Sequence, residues 1–466
     1  MAQLIISVSG LRGIVGESLT PIVAAQFAAA FVADLPVGRP IVLTRDGRST
    51  GPMFAQSIAA ALQACGFDVY YGDAAATPTT GILVKTFGAA GGIQISASHN
   101  PPAYNGIKLF GADGRVISAS FGEKVIERFR NEAFAWQDHD GLGQFSVLAD
   151  TTSVHLEKIL ATVDVPRIRQ RKFKVVLDSN HGAGAVLGKR LLSELGCEIV
   201  VLGETPDGHF EHPPEPTAAN LKSTAERAVE FGADVVFCQD PDADRLAIID
   251  ERGEYIGEEY TLALVLDHVL ATTKQQGVII TNCSTSRMSA DIAAKHGCTI
   301  QLCAVGEANV TDAMIANNAV FGGEGNGGPI DPRIGFVRDS FVGMAQVLDL
   351  MAARNQSISQ LVAGIPGYAI HKTTVELTRE KVPALIAALQ SHFHDALPST
   401  LDGLRLDWPD RWLLVRPSNT EPIIRAVAEA KSASLAQQLC AATAKLAAKF
   451  VQEGGTIRFP AGNVPG

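Results

Sequence analysis

Cysteine is scarce and scattered in this chain: seven among 466 residues, at 65, 197, 238, 283, 298, 303 and 440. No C-x-x-C occurs and the total is odd, which argues against a disulfide framework and against a structural zinc site. Most of these thiols read as small buried hydrophobes. Basic residues fall short of acidic ones, 39 against 49, and the formal net charge of −10 speaks against nucleic-acid or anionic-membrane binding. No uninterrupted apolar stretch reaches membrane-spanning length. The opening residues, MAQLIISVSGLRG, lack the basic start and long apolar core of a secretory signal. Low-complexity tracts and strong internal repeats are missing as well. Together these absences lead to the expectation of a cytoplasmic protein with no nucleic-acid and no membrane partner. No feature of the sequence fixes an oligomeric state.

What is present is a long alternation of strand and helix signals. With 46% apolar and 19% charged residues, a chain of 466 can bury several cores, and its length suggests roughly three or four domains. Residues 40–45 read as a strand, followed by a helix with Phe54, Ile58, Ala61, Leu62 and Cys65 on one face. Strands at 67–71 and 90–96, a hairpin-like turn at Gly111–Gly114 and a helix near 119–131 complete a first unit. A second unit has strands at 173–178, 198–202 and 234–238. A third has helix 258–271, strands 277–281 and 299–304, and a strand ending in Gly322-Gly323-Glu324. After residue 366 the pattern changes to a smaller α+β unit, closing with a helix whose face is expected to carry Leu435, Leu439, Ala442 and Leu446. The boundaries fall at 1–149, 150–252, 253–366 and 367–466. The expected class is α/β: three successive units of similar mixed-sheet architecture plus a smaller α+β unit, arranged around a central cleft.

Four loops carry chemistry. Residues 94–110, QISASHNPPAYNGIKLF, end a β-rich run in a small-residue loop with Ser98, His99 and Asn100, stiffened at its exit by Pro101 and Pro102. A hydroxyl on a stiff loop at a strand end suits a group that substrate must reach, although a Ser-rich Asn-Pro turn is more often only a turn. No G-x-S-x-G elbow surrounds Ser98, which disfavours a serine hydrolase. The run resembles the phosphoserine loop of the α-D-phosphohexomutases, including the following Asn105-Gly106-Ile107-Lys108. That resemblance extends over essentially the whole chain, one loop per unit. It implies that Ser98 carries a covalent phosphate, with His99, Lys108, Arg12 and Arg245 as further catalytic candidates. Lys108 would move a proton or offset charge. Arg12 comes from Ser9-Gly10-Leu11-Arg12-Gly13, similar to the family's G-x-R-G segment. Thr44-Arg45-Asp46-Gly47-Arg48 resembles its R-D-x-R strand end and reads as structural support.

The second loop, Asp240-Pro241-Asp242-Ala243-Asp244-Arg245, places carboxylates at alternate positions, where an extended backbone points them to one face. Three hard oxygen donors on one face suit Mg²⁺, completed by phosphate oxygen or water. The resemblance to the family's D-x-D-x-D-R loop implies Asp240, Asp242 and Asp244 as metal ligands, with the Ser98 phosphate as a further one. A solvated acidic turn is the plain alternative. A calcium-binding EF-hand is another, since Glu251 stands at its twelfth position. Against that, Arg245 occupies its glycine position and the flanks read as strands.

The third loop, Gly322 to Gly328, resembles the family's sugar-recognition loop, usually G-E-x-S-[GA]-H. Glu324 and Asn326 are the implied hydroxyl ligands, with Asn326 for the usual Ser and Gly328 for the usual His. A basic residue often found two places after Gly306 is here Ala308. The fourth, Arg416-Pro417-Ser418-Asn419-Thr420-Glu421-Pro422 with Arg425, resembles the phosphate-binding loop. Guanidinium forks, hydroxyls and an amide from Arg416, Ser418, Asn419, Thr420 and Arg425 can surround a dianion. A capping box on Ser418 and Glu421 competes, but IIRAVAEA downstream alternates as a strand. One further segment, His181-Gly182-Ala183-Gly184 with Glu204 beyond it, resembles the start of a dinucleotide fingerprint; its third glycine comes one residue late, at Gly188, so a helix–sheet packing turn is expected.

The resemblance implies interconversion of hexose 6-phosphate and hexose 1-phosphate through a phosphoserine and a bisphosphorylated sugar. The cofactor would be Mg²⁺, the partner a small-molecule sugar phosphate, and the last unit a mobile one. The Glu-Gly-Asn-Gly-Gly variant favours glucosamine 6-phosphate, with mannose or glucose phosphates as alternatives. The rival from another class is a non-catalytic calcium- or sugar-phosphate-binding protein.

Overall fold

The computed structural model describes residues 4–417 and 422–449. Its first sheet has seven strands in the order Ile5–Ser7, Gly10–Ile14, Tyr104–Gly111, Gly91–Ile95, Ile41–Arg45, Val69–Ala74 and Phe145–Val147. The last four pair in parallel and the first three antiparallel. The second sheet orders Leu246–Ile249, Val235–Gln239, Lys174–Asp178 and Glu198–Leu202; the third, Thr299–Cys303, Val278–Asn282, Phe321–Glu324 and Gly328–Ile330. In both, a parallel core gains one antiparallel edge strand through a hairpin. The fourth sheet is wholly antiparallel: Ala369–Glu376, Ile423–Ala430, Trp412–Pro417, Leu404–Asp407 and Leu397–Ser399.

This topology explains why the four loops matter. Each lies where a strand turns back into its antiparallel neighbour: after Gly91–Ile95, after Val235–Gln239, after Phe321–Glu324 and after Trp412–Pro417. In the first three sheets the reversal joins the carboxyl end of a parallel strand, where such sheets present their functional loops.

Fully buried strands such as Ile41–Leu43 and Val235–Cys238 read as continuous apolar runs, as covered sheets require. The largest apolar cluster joins the second and third units. Its centre is the helix Ser340–Arg354, which packs on helices Glu258–Thr273, Val165–Arg171 and Gly184–Glu194. Phe341 on this helix is fully buried. Its replacement by alanine is expected to cost about 3–5 kcal/mol, through lost transfer free energy plus a cavity. Urea unfolding of Phe341→Ala would read this as a lower midpoint at unchanged slope.

The structure corrects the closing helix. Ala433–Ala448 buries Ala436, Leu439, Cys440, Thr443, Ala444 and Ala447, whereas Leu435, Ala442 and Leu446 are half-buried at its margin. Small side chains let the helix settle closely on Ala369–Glu376 and Ile423–Ala430, so the stripe of small residues wins over the leucine stripe. The helix Gly51–Ala64, with Cys65 as its C-cap, buries all five expected residues. All seven cysteines are free, six of them buried. Among the described residues no helix is long and apolar enough to cross a membrane.

Candidate active site

Ser98 sits at the tip of the first reversal, almost fully buried, with φ of 50°. A left-handed backbone at a non-glycine residue is strained and must be held by its surroundings. Arg48 does the holding. Its guanidinium donates to four loop carbonyls: Ser98 at 2.7 Å, Asn100 at 2.6 Å, Pro101 at 2.9 Å and Tyr104 at 2.9 Å. Asp46 steadies the other side, since its carboxylate accepts from Ser96 Oγ, which in turn accepts from the Ser98 N–H. The strand-end segment 44–48 thus clamps the serine loop.

Across the cleft, the acidic loop meets that serine. Ser98 Oγ donates to Asp240 Oδ2 at 3.0 Å, and His99 Nδ1 lies 3.2 Å from the same hydroxyl. Lys108 Nζ pairs with Asp242 and, at 2.9 Å, with Asp244 Oδ2. In the antiparallel register Arg12 faces Gly106 and Gly10 faces Lys108, so both cations share one sheet face. Arg12 also donates to Asn100 at 3.0 Å. Thr77, at the start of helix Thr77–Thr86, donates from backbone and side chain to Asp242.

Asp240, Asp242 and Asp244 are fully buried and offer oxygens within 4.8 Å of one another. At an effective dielectric of about 20, each charged pair at that spacing repels by roughly 3 kcal/mol or more. Burial, then Asp242 and Asp244, pushes the Asp240 carboxyl well up. Burial opposes ionisation of Asp242 too, but the Lys108 charge and hydrogen bonds from Lys108 and Thr77 hold it below the usual range. Oδ1 of Asp242 and Oδ1 of Asp244 have no hydrogen-bond partner. Crowded carboxylates with free oxygens fit a hard divalent cation such as Mg²⁺. They do not form an EF-hand: both flanks are strands, and Glu251 instead binds Ser357 and Ser359. The His181–Gly184 turn is a packing turn, with the Ala183 N–H donating to Pro241 of the acidic loop at 2.8 Å.

Burial first, then the positive charges of Arg245 and Arg12, pulls the His99 pKa down to about 3. The imidazole is therefore neutral at physiological pH. Arg245 donates its backbone N–H to Asp240, and its Nε, which makes no hydrogen bond, lies 4.0 Å from Asp244 Oδ1.

The Gly322 to Gly328 loop packs on the acidic loop. Gly327 has φ of +82°, and a Cβ there would come within 2.2 Å of the Leu246 carbonyl; that close approach lets the Leu246 N–H donate to the Gly327 carbonyl at 2.9 Å. Glu324 is nearly fully buried and already engaged, by Asn282 at 2.7 Å, the Gly306 N–H at 3.2 Å and Arg338 at 2.9 Å. Asn326 is half-buried with a partnerless Oδ1. Arg338, whose guanidinium also donates to Asp244 at 2.7 Å, lay outside every sequence motif. The capping Asp339-Ser340 pair that opens a long apolar helix was the signal that could have drawn attention to it.

In the last unit Arg416 opposes Arg425 in register, and Arg416 pairs with Asp402 at 3.2 Å. Ser418, Asn419 and Thr420 lie outside the described residues. Across the seam with the third unit, Arg287 donates to the carbonyls of Trp408 at 2.8 Å and Pro409 at 2.7 Å, the Val305 N–H donates to Asp402 at 3.0 Å, and Arg405 donates to the Cys283 carbonyl. Glu429 accepts from Trp412 and the Arg287 N–H, and a small apolar patch of Cys283, Trp412 and Leu414 lies beside them.

Fold and site together define an isomerase of the phosphohexomutase class. Residues 4–136, 153–253 and 258–368 match the phosphoglucomutase/phosphomannomutase alpha/beta/alpha domains I, II and III, and residues 374–446 match the C-terminal domain of that family. A phosphoglucomutase/phosphomannomutase of Thermococcus kodakarensis is 37% identical, covering 92% of this chain and 95% of its own. A probable phosphoglucosamine mutase of Methanopyrus kandleri is 34% identical over the same shares. A solved phosphoglucomutase/phosphomannomutase family protein from Burkholderia thailandensis superposes with a TM-score of 0.83 at 26% identity, covering 97% of this chain and 100% of that one. The chain belongs to the phosphoglucomutase/phosphomannomutase family.

Proposed function

We propose that this protein interconverts hexose 6-phosphates and hexose 1-phosphates, with Ser98 as phosphoryl carrier and a bisphosphorylated sugar as intermediate. The observation that carries the reading is the Ser98 hydroxyl set 3.0 Å from Asp240 inside the acidic trio. In the first half-reaction the P–O bond to Ser98 breaks and a P–O bond to the free sugar hydroxyl forms. The hydroxyl proton leaves the sugar, and Ser98 Oγ ends protonated. In the second half-reaction the sugar's other phosphoryl group returns to Ser98.

Asp240, Asp242 and Asp244 would hold Mg²⁺, which when bound draws charge from the transferring phosphoryl group. Lys108, Arg12 and Arg245 add fixed positive charge at the same place. Neutral His99 offers Nδ1 as a proton acceptor beside Ser98 Oγ. Glu324 and Asn326 would orient the ring hydroxyls. Arg416, Ser418, Asn419, Thr420 and Arg425 would grip the non-reacting phosphate in either orientation, which calls for a last unit that moves.

The substrate we favour is glucosamine 6-phosphate, on the Glu324-Gly325-Asn326-Gly327-Gly328 loop and on relatives named as probable phosphoglucosamine mutases. The 37% identity to a phosphoglucomutase/phosphomannomutase supports the second reading, mannose or glucose phosphates. Parallel turnover assays on the three hexose 6-phosphates, each primed with its bisphosphate, decide. The highest kcat/KM is expected for glucosamine; a preference for mannose or glucose selects the second reading, and no interconversion of any overturns the proposal.

A further inference from the structure

Glu324 and Gly328 face each other across the hairpin that joins Phe321–Glu324 to Gly328–Ile330. Directly opposed residues in an antiparallel pair point to the same face, so a side chain at 328 would stand beside the Glu324 carboxylate. Gly328 is not among the positive-φ glycines, hence backbone conformation does not require glycine there. Space does. A Cβ at 328 would come within 2.4 Å of Arg338 Cδ, 2.8 Å of Cγ and 3.1 Å of Cβ. The stem of Arg338 fills the volume that a side chain at 328 would take.

That stem cannot swing aside cheaply. The Arg338 N–H donates to Glu307 at 2.8 Å, and the Asp339 N–H donates to the Pro329 carbonyl at 2.9 Å. Asp339 also caps helix Ser340–Arg354, accepting from the N–H groups of Phe341 and Val342. The guanidinium then forks: Nη1 to Glu324 at 2.9 Å and Nη2 to Asp244 at 2.7 Å. Arg338 is only 8% exposed, and its Nε has no partner. Because its Nη2 and Lys108 both take Oδ2 of Asp244, Oδ1 accepts no hydrogen bond and has the Arg245 Nε 4.0 Å away.

We propose that Arg338 is a positioning residue of the mutase reaction, locking the metal loop at Asp244 to the sugar loop at Glu324 through the space that Gly328 leaves open. The inference rests on the mutase reading above. The arginine fork holds Glu324 and Asp244 through two different nitrogens in a fixed planar geometry that a shorter-reaching lysine ammonium lacks, so lysine is not an equivalent.

Steady-state kinetics of R338K, R338A and the double variant G328H/R338A, alongside wild type, test this. R338K is expected to lower kcat/KM by about tenfold or more, with KM raised and kcat reduced, while its thermal midpoint stays near that of wild type. In the double variant an imidazole enters the vacated space and kcat/KM recovers by about tenfold over R338A. Calorimetric titration with hexose 6-phosphate should show the matching loss and recovery of binding. R338K with wild-type KM and kcat overturns the inference, as does a double variant no better than R338A. Should R338A fail to fold, R338K still decides. An inactive wild type would instead strike at the mutase reading itself, so the two failures are distinct.

Discussion

Ser98→Ala is expected to lose hexose phosphate interconversion by at least roughly a thousandfold, because the alanine methyl can neither carry nor return a phosphoryl group. The fold should survive. The residue removes one hydroxyl from a loop held by Arg48, Asp46 and Ser96, none of which contacts the Ser98 hydroxyl. Alanine adopts the left-handed region no less easily than serine, so the φ of 50° adds little cost. Intact-mass spectrometry gives a second readout: wild type should carry a fractional phosphate on Ser98 and the variant none. A variant that still interconverts the sugars would remove the phosphoserine from the mechanism.

Asp242→Asn should lower Mg²⁺-dependent turnover by about a hundredfold or more, since metal-assisted charge stabilisation supplies several kcal/mol. Asparagine keeps an oxygen that can accept from Thr77 and Lys108, the two donors on Asp242 Oδ2. Lys108 keeps its ion pair with Asp244 in the variant, so the protein should stay folded. Circular dichroism and a turnover titration with MgCl₂ check both halves. Full activity in the variant would dismiss this loop as the metal site.

Much of this was legible in the sequence because the chemistry sits on short, contiguous loops. Asp240, Asp242 and Asp244 lie on one reversal, where alternate spacing alone brings them to one face; Ser98 and Lys108 flank another and were singled out through the resemblance of that contiguous run to the phosphohexomutase serine loop. The strands read at 40–45 and 234–238 were legible for the same local reason and stand in the structure at Ile41–Arg45 and Val235–Gln239. What escaped was long-range. Arg338 reaches Asp244 across 94 residues, and Arg48 reaches the Ser98 loop across 50. Neither partner can be read from spacing, because it is set by how separate sheets stack. The closing helix misled for another reason: its leucines suggested one face, yet close packing on a sheet favoured alanine and cysteine.

The joint between the third and fourth units has a different character from the rest of the molecule. The middle units share one merged interior through helix Ser340–Arg354, while the last unit keeps its own apolar cluster and meets its neighbour through polar contacts of Arg287, Glu429, Arg405 and Asp402 around a small apolar patch. On the proposed mutase reading, substitutions along that joint, at Arg287 or Glu429, are expected to change ligand entry and release before they change the chemistry at Ser98, because neither residue contacts the serine loop or the acidic trio.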